Sequence, residues 1–280
     1  MIPFVRQPSI HLGPVTIAAF GVIVASAVAV GLALSRRRFA RERLDAAQGE
    51  RLAWWALVGG FVGAHVFSLV FYFPEKLAER PWLLLKLWED ISSTGGVLGG
   101  LVGIAWFLHR HAPTLSRGAR RAYLDVAAFV FPVSLTIGRL ACSLAHDHPG
   151  ALTRFPLAIS LASPRAQAYI ADVYRGAGRI GELPASDALA RLGFHDLGWY
   201  EFLFLAIVVL PLTHWLDRRP RVRGFWLFAF GALYLPGRFA LEFLRVADVR
   251  YGALTPAQWG ALAGLAALPW WYLRLHRQGA

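Results

Sequence analysis

Seven apolar segments, each near the length of a membrane span, constrain most strongly how this chain can fold. About 20 apolar residues in a helix cross the hydrocarbon core of a bilayer, and a helix satisfies all of its own backbone hydrogen bonds there. The third segment is short and rich in glycine. The segments predict an all-α, polytopic membrane protein with about seven transmembrane helices, at 14–34, 53–73, 95–109, 123–145, 197–216, 224–243 and 256–275.

Arginines between these segments predict how the chain is oriented. Four arginine-rich regions alternate along the sequence so that they can share one side of the membrane, and the positive-inside rule makes that side cytoplasmic. They are Arg36 to Arg51, Arg110 to Arg121, Arg218 to Arg223, and Arg274 with Arg277. The N-terminus is then outside, the C-terminus is cytoplasmic, and the long segment at about 146–196 is extracytoplasmic.

Composition narrows the class of protein further. Hydrophobic residues make up 56% of the 280 residues and charged residues 16%, whereas soluble domains are typically about 25% charged. A net charge of +12 would suit a nucleic-acid partner in a soluble protein, but in so apolar a chain it predicts affinity for anionic membrane lipid and no nucleic acid. Because the helices need one another to bury their polar groups, residues 1–280 are predicted to form a single integral membrane domain.

Charged residues inside apolar segments are the strongest functional signal, because each costs about 3 kcal/mol or more without a partner. Arg139 lies near the outer part of the fourth segment, and His146, Asp147 and His148 follow it within two turns. A guanidinium in that position favours a carboxylate or a phosphate. Two structural alternatives stay open, in which Arg139 extends to the outer head groups or pairs with Asp147.

A second charged cluster ends the sixth segment. Glu242 follows Arg238 by four residues and precedes Arg245 by three, so the three side chains share one helix face. The stripe either neutralises itself against other helices or lines a cleft for a lipid phosphate.

The start of the fifth segment contributes His195, Tyr200 and Glu201. The position of Glu201 is explained by the helix N-terminus alone, which favours a negative charge. His195 and the three polar residues that follow the fourth segment form an alternative metal site, which their loose spacing disfavours.

Glycines and one histidine mark two further segments. The third segment carries a glycine-rich run that includes Gly99 and Gly100. The run favours close helix packing over phosphate binding, because no strand precedes it. His65 lies in the middle of the second segment, where a lone histidine is usually hydrogen-bonded to a neighbour.

In their order along the chain, these clusters resemble the prolipoprotein diacylglyceryl transferase family, and the likeness covers nearly the whole sequence. Its pieces are Ile10 to Pro14, Phe71 to Pro74, Gly99 to Gly103, Asp125 with Pro132, Gly138 to Leu140, His195 with Tyr200 and Glu201, Arg238 to Arg245, Asp248, and Leu254 to Gln258. The resemblance implies a multi-pass enzyme of the bacterial inner membrane. It would move the diacylglyceryl group of phosphatidylglycerol to the lipobox cysteine thiol of a prelipoprotein, releasing glycerol 1-phosphate.

The resemblance also implies roles for the charged residues. Arg139 and Arg238 would hold the phosphate of phosphatidylglycerol, and Glu242, Arg245 and Gly150 would complete the lipid site. The supporting residues would be Gly99, Gly100, His65, His195, Tyr200 and Glu201.

One departure from the family's pattern concerns proton transfer. The usual histidine of a His-Gly-Gly motif is replaced by Leu98. A thiol has a pKa of about 8.5 and must lose its proton before it attacks, so another base is required. The candidates are His146, His148 and His65, in that order of preference, with Asp147 beside the first two.

The predicted protein is therefore a diacylglyceryl transferase that needs no cofactor and no metal, with phosphatidylglycerol, other membrane lipid and a lipobox peptide as partners. One alternative is a non-catalytic or repurposed paralogue that binds anionic lipid. Another is a small-solute transporter, which the missing internal repeat disfavours, as does the position of the polar clusters near the outer leaflet rather than the midplane.

Reporter fusions test the predicted orientation. Fusions after Arg38, Arg121, Arg223 and the C-terminus should report a cytoplasmic location, and a fusion within 155–190 a periplasmic one, because arginine is retained on the cytoplasmic side. A periplasmic C-terminus would refute the arrangement of seven spans.

Overall fold

A computed structural model describes residues 1–13, 15–87, 91–111, 113–246 and 248–276 of the protein. Pro14 and Arg277, which belong to the predicted first segment and cytoplasmic end, lie outside the described residues. Near the N-terminus, strands β1 (Ser9–Leu12) and β2 (Val15–Ala18) pair antiparallel, with Ser9 opposite Ala18. This hairpin is why the first helix begins later than the apolar pattern predicts.

Within the described residues of the N-terminal half, five α-helices follow, and four of them coincide with predicted segments. Asp45 caps the helix that begins at Ala46, because its side chain accepts a hydrogen bond from the amide of Ala47. The helices are α1 (Ala19–Arg41), α2 (Ala46–Phe71), α3 (Pro74–Glu79), α4 (Ser93–Arg110) and α5 (Arg117–Ala145).

The segment at 146–196 is a small folded structure rather than an irregular loop. Its elements are β3 (Pro149–Thr153), β4 (Ile159–Ser160), α6 (Pro164–Gly176), α7 (Ser186–Leu189) and β5 (Gly193–Asp196). The strands form an antiparallel sheet in the order β3-β5-β4. One face of α6 packs Ala166, Ile170 and Tyr174 into a hydrophobic core with Phe194 of β5.

The C-terminal part supplies the last three predicted segments. In the first of them, Leu197–Leu216, a π-helical turn joins α8 (Leu197–Phe204) to α9 (Leu210–Leu216). The second is α10 (Phe225–Leu241), which a 3-10 turn extends to Leu244, and the third is α11 (Pro256–His276). Helices thus form at all seven predicted segments, and the chain is an all-α, polytopic membrane protein with a few short strands.

Five of these helices are long and apolar enough to cross a membrane: Ala19–Arg41, Ala46–Phe71, Arg117–Ala145, Leu197–Leu216 and Phe225–Leu244. Among the described residues, α4 and α11 do not reach the same combination of length and hydropathy. Seven spans and their orientation therefore stay predictions.

The fold divides into two compact units. The first unit comprises Met1–Val30, Pro132–Leu216 and Leu233–Asp248, and the second comprises Gly31–Phe131, Asp217–Ala232 and Val249–Ala280. The core of the first unit is the sheet and α6, whereas the core of the second joins Phe39, Leu52, Phe107 and Tyr123 from four helices.

The glycine-rich run packs α4 directly against α2, as predicted. A Cβ atom on Gly99 would lie 2.2 Å from the carbonyl oxygen of Gly59, and one on Gly103 would lie 2.1 Å from that of Trp55. Only glycine permits so close a backbone approach. Gly99 and its neighbours are therefore explained by packing within the second unit.

Substitution of Gly99 tests this packing. Gly99→Ala should destabilise the protein by about 1–3 kcal/mol, because the added methyl meets a backbone oxygen that cannot move aside. Gly96→Ala on the same helix is the matched control, since its Cβ would lie an ordinary 3.7 Å from the nearest atom. Thermal unfolding in detergent measures both variants, and equal melting temperatures would contradict the close-packing explanation.

Candidate functional site

A buried carboxylate, Glu201 of α8, joins the two arginines that the sequence singles out. Its Oε1 lies 2.9 Å from Nε of Arg139 on α5, and its Oε2 lies 3.6 Å from Nη1 of Arg238 on α10. Tyr234, one turn before Arg238, donates its hydroxyl hydrogen bond to Glu201. Three helices that are distant in sequence thus converge on one carboxylate.

The same network continues through the 3-10 turn that follows α10. Glu242 Oε2 lies 2.7 Å from Nη1 of Arg238, and its Oε1 accepts a hydrogen bond of 3.0 Å from Arg245. Arg245 lies 3.1 Å from Asp248 Oδ2. The resulting ion-pair network alternates in charge from Arg139 through Glu201, Arg238, Glu242 and Arg245 to Asp248.

Burial of this network is nearly complete. Glu242 is 0% exposed, Glu201 1%, Arg139 3% and Arg238 6%. Arg139 therefore does not extend to the head groups. The explanation of Glu201 by the helix N-terminus was wrong. Glu201 lies beyond the first turn of α8, and its carboxylate is paired with two guanidinium groups.

At one end of the network, Arg139 contacts a histidine and a cysteine. Nη1 of Arg139 lies 3.5 Å from Nε2 of His148 and 3.9 Å from Sγ of Cys142. Nδ1 of His148 is hydrogen-bonded to Asp147. A neutral imidazole that donates from Nδ1 and accepts at Nε2 satisfies both contacts.

Electrostatics favour that neutral form. Burial lowers the pKa of His148 and outweighs the opposing effect of Asp147. Burial opposes ionisation of Asp147, but the hydrogen bond from His148 and the charge of Arg139 lower its pKa overall. Near neutral pH the pair is therefore an imidazole oriented by a carboxylate.

His146, which the sequence ranks first as a base, is engaged elsewhere. It is 5% exposed, and its Nδ1 lies 2.7 Å from Asp196 Oδ2 while its Nε2 lies 3.1 Å from the carbonyl oxygen of Val5. Its ring stacks on Phe4 at 4.6 Å, and its φ of +52° ends helix α5. Both ring nitrogens of His146 thus have partners within 3.1 Å, whereas Nε2 of His148 makes a longer contact of 3.5 Å with Arg139. This geometry favours His148 over His146 as the proton acceptor.

Gly150 serves the network through its backbone. It forms an antiparallel bridge with Arg245, and a Cβ there would lie 2.6 Å from the carbonyl oxygen of Leu244. Next to it, Nδ1 of His195 is 2.9 Å from the Tyr200 hydroxyl. The structure thus gives Gly150, His195 and Tyr200 positions on β3, β5 and α8 beside the ion-pair network.

The remaining predicted residues belong to the second unit. His65 is fully buried, with Nε2 2.8 Å from the carbonyl oxygen of Leu83, as expected of a lone histidine in an apolar helix. Gly99 and Gly100 lie on α4, and Leu98 is 41% exposed on the same helix.

One group of potential metal ligands occurs among the described residues, and it differs from the alternative that the sequence disfavoured. Cys142, Asp147 and His148 have ligand atoms within 4.8 Å of one another. The guanidinium of Arg139 already contacts two of them. A second cation in this position would be repelled, so the donor set does not fit a resident metal ion.

Several buried polar atoms of the network lack a hydrogen bond of good geometry. Among the described residues, Glu201 Oε2, Arg238 Nη1 and Glu242 Oε2 are buried without a hydrogen bond of good geometry, although Nη1 lies within ion-pair distance of both carboxylate oxygens. Buried polar atoms are nearly always hydrogen-bonded, and the exceptions concentrate at functional sites.

Sequence reasoning missed three participants. Tyr234 and Asp196 each hold a site residue in place, and Cys142 approaches Arg139. Tyr234 lies four residues before Arg238 and therefore on the same helix face, which is the one signal that could have identified it.

Together, the apolar helices and the buried charges define a multi-pass α-helical membrane protein with a polar site suited to a charged ligand. The chain belongs to the prolipoprotein diacylglyceryl transferase family, whose model matches residues 7–274. It is 31% identical over 262 residues to the phosphatidylglycerol–prolipoprotein diacylglyceryl transferase of Xylella fastidiosa strain 9a5c, covering 88% of this chain and 85% of the relative. The enzyme of the same name from Chromohalobacter salexigens is 28% identical over 271 residues, covering 95% and 89%.

Removal of the central carboxylate tests the ion-pair network. Glu201→Gln should destabilise the protein by about 3–5 kcal/mol, because two buried guanidinium groups lose their shared counter-charge. Glu182→Gln is the control, since Glu182 pairs with Arg179 on the exposed surface, and it should leave the melting temperature unchanged. Equal melting temperatures for the two variants would show that Glu201 does not hold the network together.

Proposed function

We propose that this protein is an enzyme that transfers the diacylglyceryl group of phosphatidylglycerol to the lipobox cysteine thiol of a prelipoprotein at the outer side of a bacterial inner membrane. Family membership supports the reaction type. The observation that carries the proposal is the ion-pair network, whose terminal guanidinium on Arg139 adjoins a neutral histidine.

The phosphate site follows from how charge alternates along the network. Each internal member of the network has an opposite charge on both sides. Asp248 ends the network with a negative charge, and Arg139 ends it with a positive charge. Nη1 of Arg139 contacts His148 and Cys142, and this guanidinium would donate a charge-assisted hydrogen bond to an incoming phosphate. Arg238 is the second cation proposed for the phosphate, because it shares the Glu201 carboxylate with Arg139.

The reaction requires one bond to form as another breaks. The lipobox thiolate attacks the glycerol carbon that bears the phosphate, a C–S bond forms, and the C–O bond to the phosphate breaks. Glycerol 1-phosphate leaves with the electron pair of that bond. Negative charge therefore grows on the phosphate oxygen, where fixed cations in a water-poor site are most effective.

His148 is the proposed base for the thiol proton, in place of the family's usual histidine. Its Nε2 lone pair is oriented by the Asp147 contact at Nδ1, as in other carboxylate-oriented histidines. The same nitrogen lies beside Arg139, so the proton acceptor and the phosphate site would be adjacent. Arg245 and Gly150 contribute by fixing the turn that ends the network.

A lipid-transfer assay tests the proposal directly. Purified protein is incubated with phosphatidylglycerol and a peptide that carries a lipobox cysteine, and the thioether product is measured by mass spectrometry. Activity that is lost in Arg139→Gln is the expected result, since removal of a charge-stabilising donor typically lowers the rate by about 10²–10³-fold. Lipid binding without transfer in the wild type would instead favour the repurposed paralogue that Leu98 suggests.

The two histidines give opposite expectations in the same assay. His148→Ala should lower the transfer rate by about 10²–10⁴-fold, the usual contribution of a general base, whereas His146→Ala should lower stability while the folded fraction stays active. Because the base must be neutral and burial lowers the pKa of His148, wild-type activity should persist as pH falls below about 6.5, the ordinary histidine value, and be lost at more acidic pH. An unchanged pH profile in His148→Ala would exclude His148.

A further inference from the structure

A second concentration of arginines lies in the second unit and has no part in the proposed reaction. There a cavity of about 410 Å³ is formed by the end of α1, the start of α5 and the link between α9 and α10. Its volume is within the range of small-molecule sites, about 300–1,000 Å³. The arginines that line it are Arg38, Arg41, Arg218, Arg219, Arg221 and Arg223.

One wall of this arginine-lined cavity is rigid. Arg38 is only 10% exposed, lies 2.8 Å from Asp217 Oδ2 and 3.2 Å from Glu42 Oε1, and stacks on the ring of Phe129 at 4.2 Å. Arg41 also contacts Asp217, at 3.1 Å. The guanidinium of Arg38 is therefore fixed by contacts on several sides, unlike an arginine that merely extends into solvent.

The carboxylates in the cavity are already engaged. Asp217 and Glu42 pair with Arg38, and Asp125 accepts hydrogen bonds from the backbone amides of Gly224 and Trp226. Six arginines face these three carboxylates, which leaves an excess of positive charge. Within the described residues, Arg218, Arg219 and Arg223 have no carboxylate within ion-pair distance.

We propose that this cavity binds a phosphate-bearing anion, either the head group of an anionic phospholipid or a free phosphate compound. Guanidinium groups match phosphate oxygens with paired hydrogen bonds. The arginine pattern predicts this end of the helices to be cytoplasmic, where basic pockets between membrane helices bind lipid head groups. The positive-inside rule accounts for arginines on that side, but it does not require that they converge on a concave surface around a fixed Arg38.

A pair of matched double variants tests the proposal in the full-length protein. R219Q/R223Q removes two cavity arginines, and R37Q/R51Q removes two exposed arginines from the same predicted side that do not line the cavity. Native mass spectrometry measures binding of cardiolipin, which carries two phosphates, and of phosphatidylcholine as the neutral lipid. We expect R219Q/R223Q to bind cardiolipin roughly tenfold more weakly than the wild type, and R37Q/R51Q to bind it equally well. Because the ion-pair network is intact in every variant, lipid bound there cancels in the comparison.

Further arms separate the two sources of phosphate. Calorimetric titration with inorganic pyrophosphate should detect binding to the wild type and not to R219Q/R223Q if a free anion is the ligand, and binding to neither if the cavity requires lipid. R219K/R223K keeps the charge without the paired donors, and it replaces the glutamine variant if that variant does not fold. Weaker cardiolipin binding by R219K/R223K supports the proposal. Equal loss of cardiolipin binding in R219Q/R223Q and R37Q/R51Q would overturn the proposal, because charge in general would then explain the binding. R219Q/R223Q that binds both cardiolipin and pyrophosphate as the wild type does would also overturn it.

Discussion

The shared contact of Arg139 and Arg238 with Glu201 is the interaction on which the rest of the site depends. Isolated charges are expensive in an apolar interior, but each charge here has an opposite charge within about the distance of a hydrogen bond. The contact fixes α5, α8 and α10 at one point. It also places the guanidinium of Arg139 beside His148 and Cys142.

The segment at 146–196 is coupled to that network by its fold. Gly150 of β3 bridges to Arg245, and Val246 belongs to the core that α6 and β5 build. Arg179 adds a hydrogen bond of 3.0 Å to the carbonyl oxygen of Val246. The predicted extracytoplasmic segment thus holds the turn that carries Arg245, which gives a physical reason for its unusual length.

Periodicity and charge predicted the helices well, because an apolar segment of bilayer length has few other stable structures. They did not predict which distant side chains meet. The helix-end explanation of Glu201 and the ranking of His146 as the first candidate base left out partners that lie 50 residues or more away in sequence. These partners are Arg139 for Glu201 and Asp196 for His146. No local spacing encodes such pairs.

The amino-acid sequence by itself determined the membrane class, the positions of seven helices, the family resemblance and the arginines at issue, since hydropathy and local charge are properties of neighbouring residues. Only the tertiary structure decided that Glu201 unites Arg139 with Arg238, that His148 rather than His146 adjoins them, and that Gly99 serves packing. Those outcomes depend on how distant helices meet within a few ångströms. In a buried site water cannot solvate a charge that lacks a partner, and a tightly packed backbone cannot accommodate an extra methyl group.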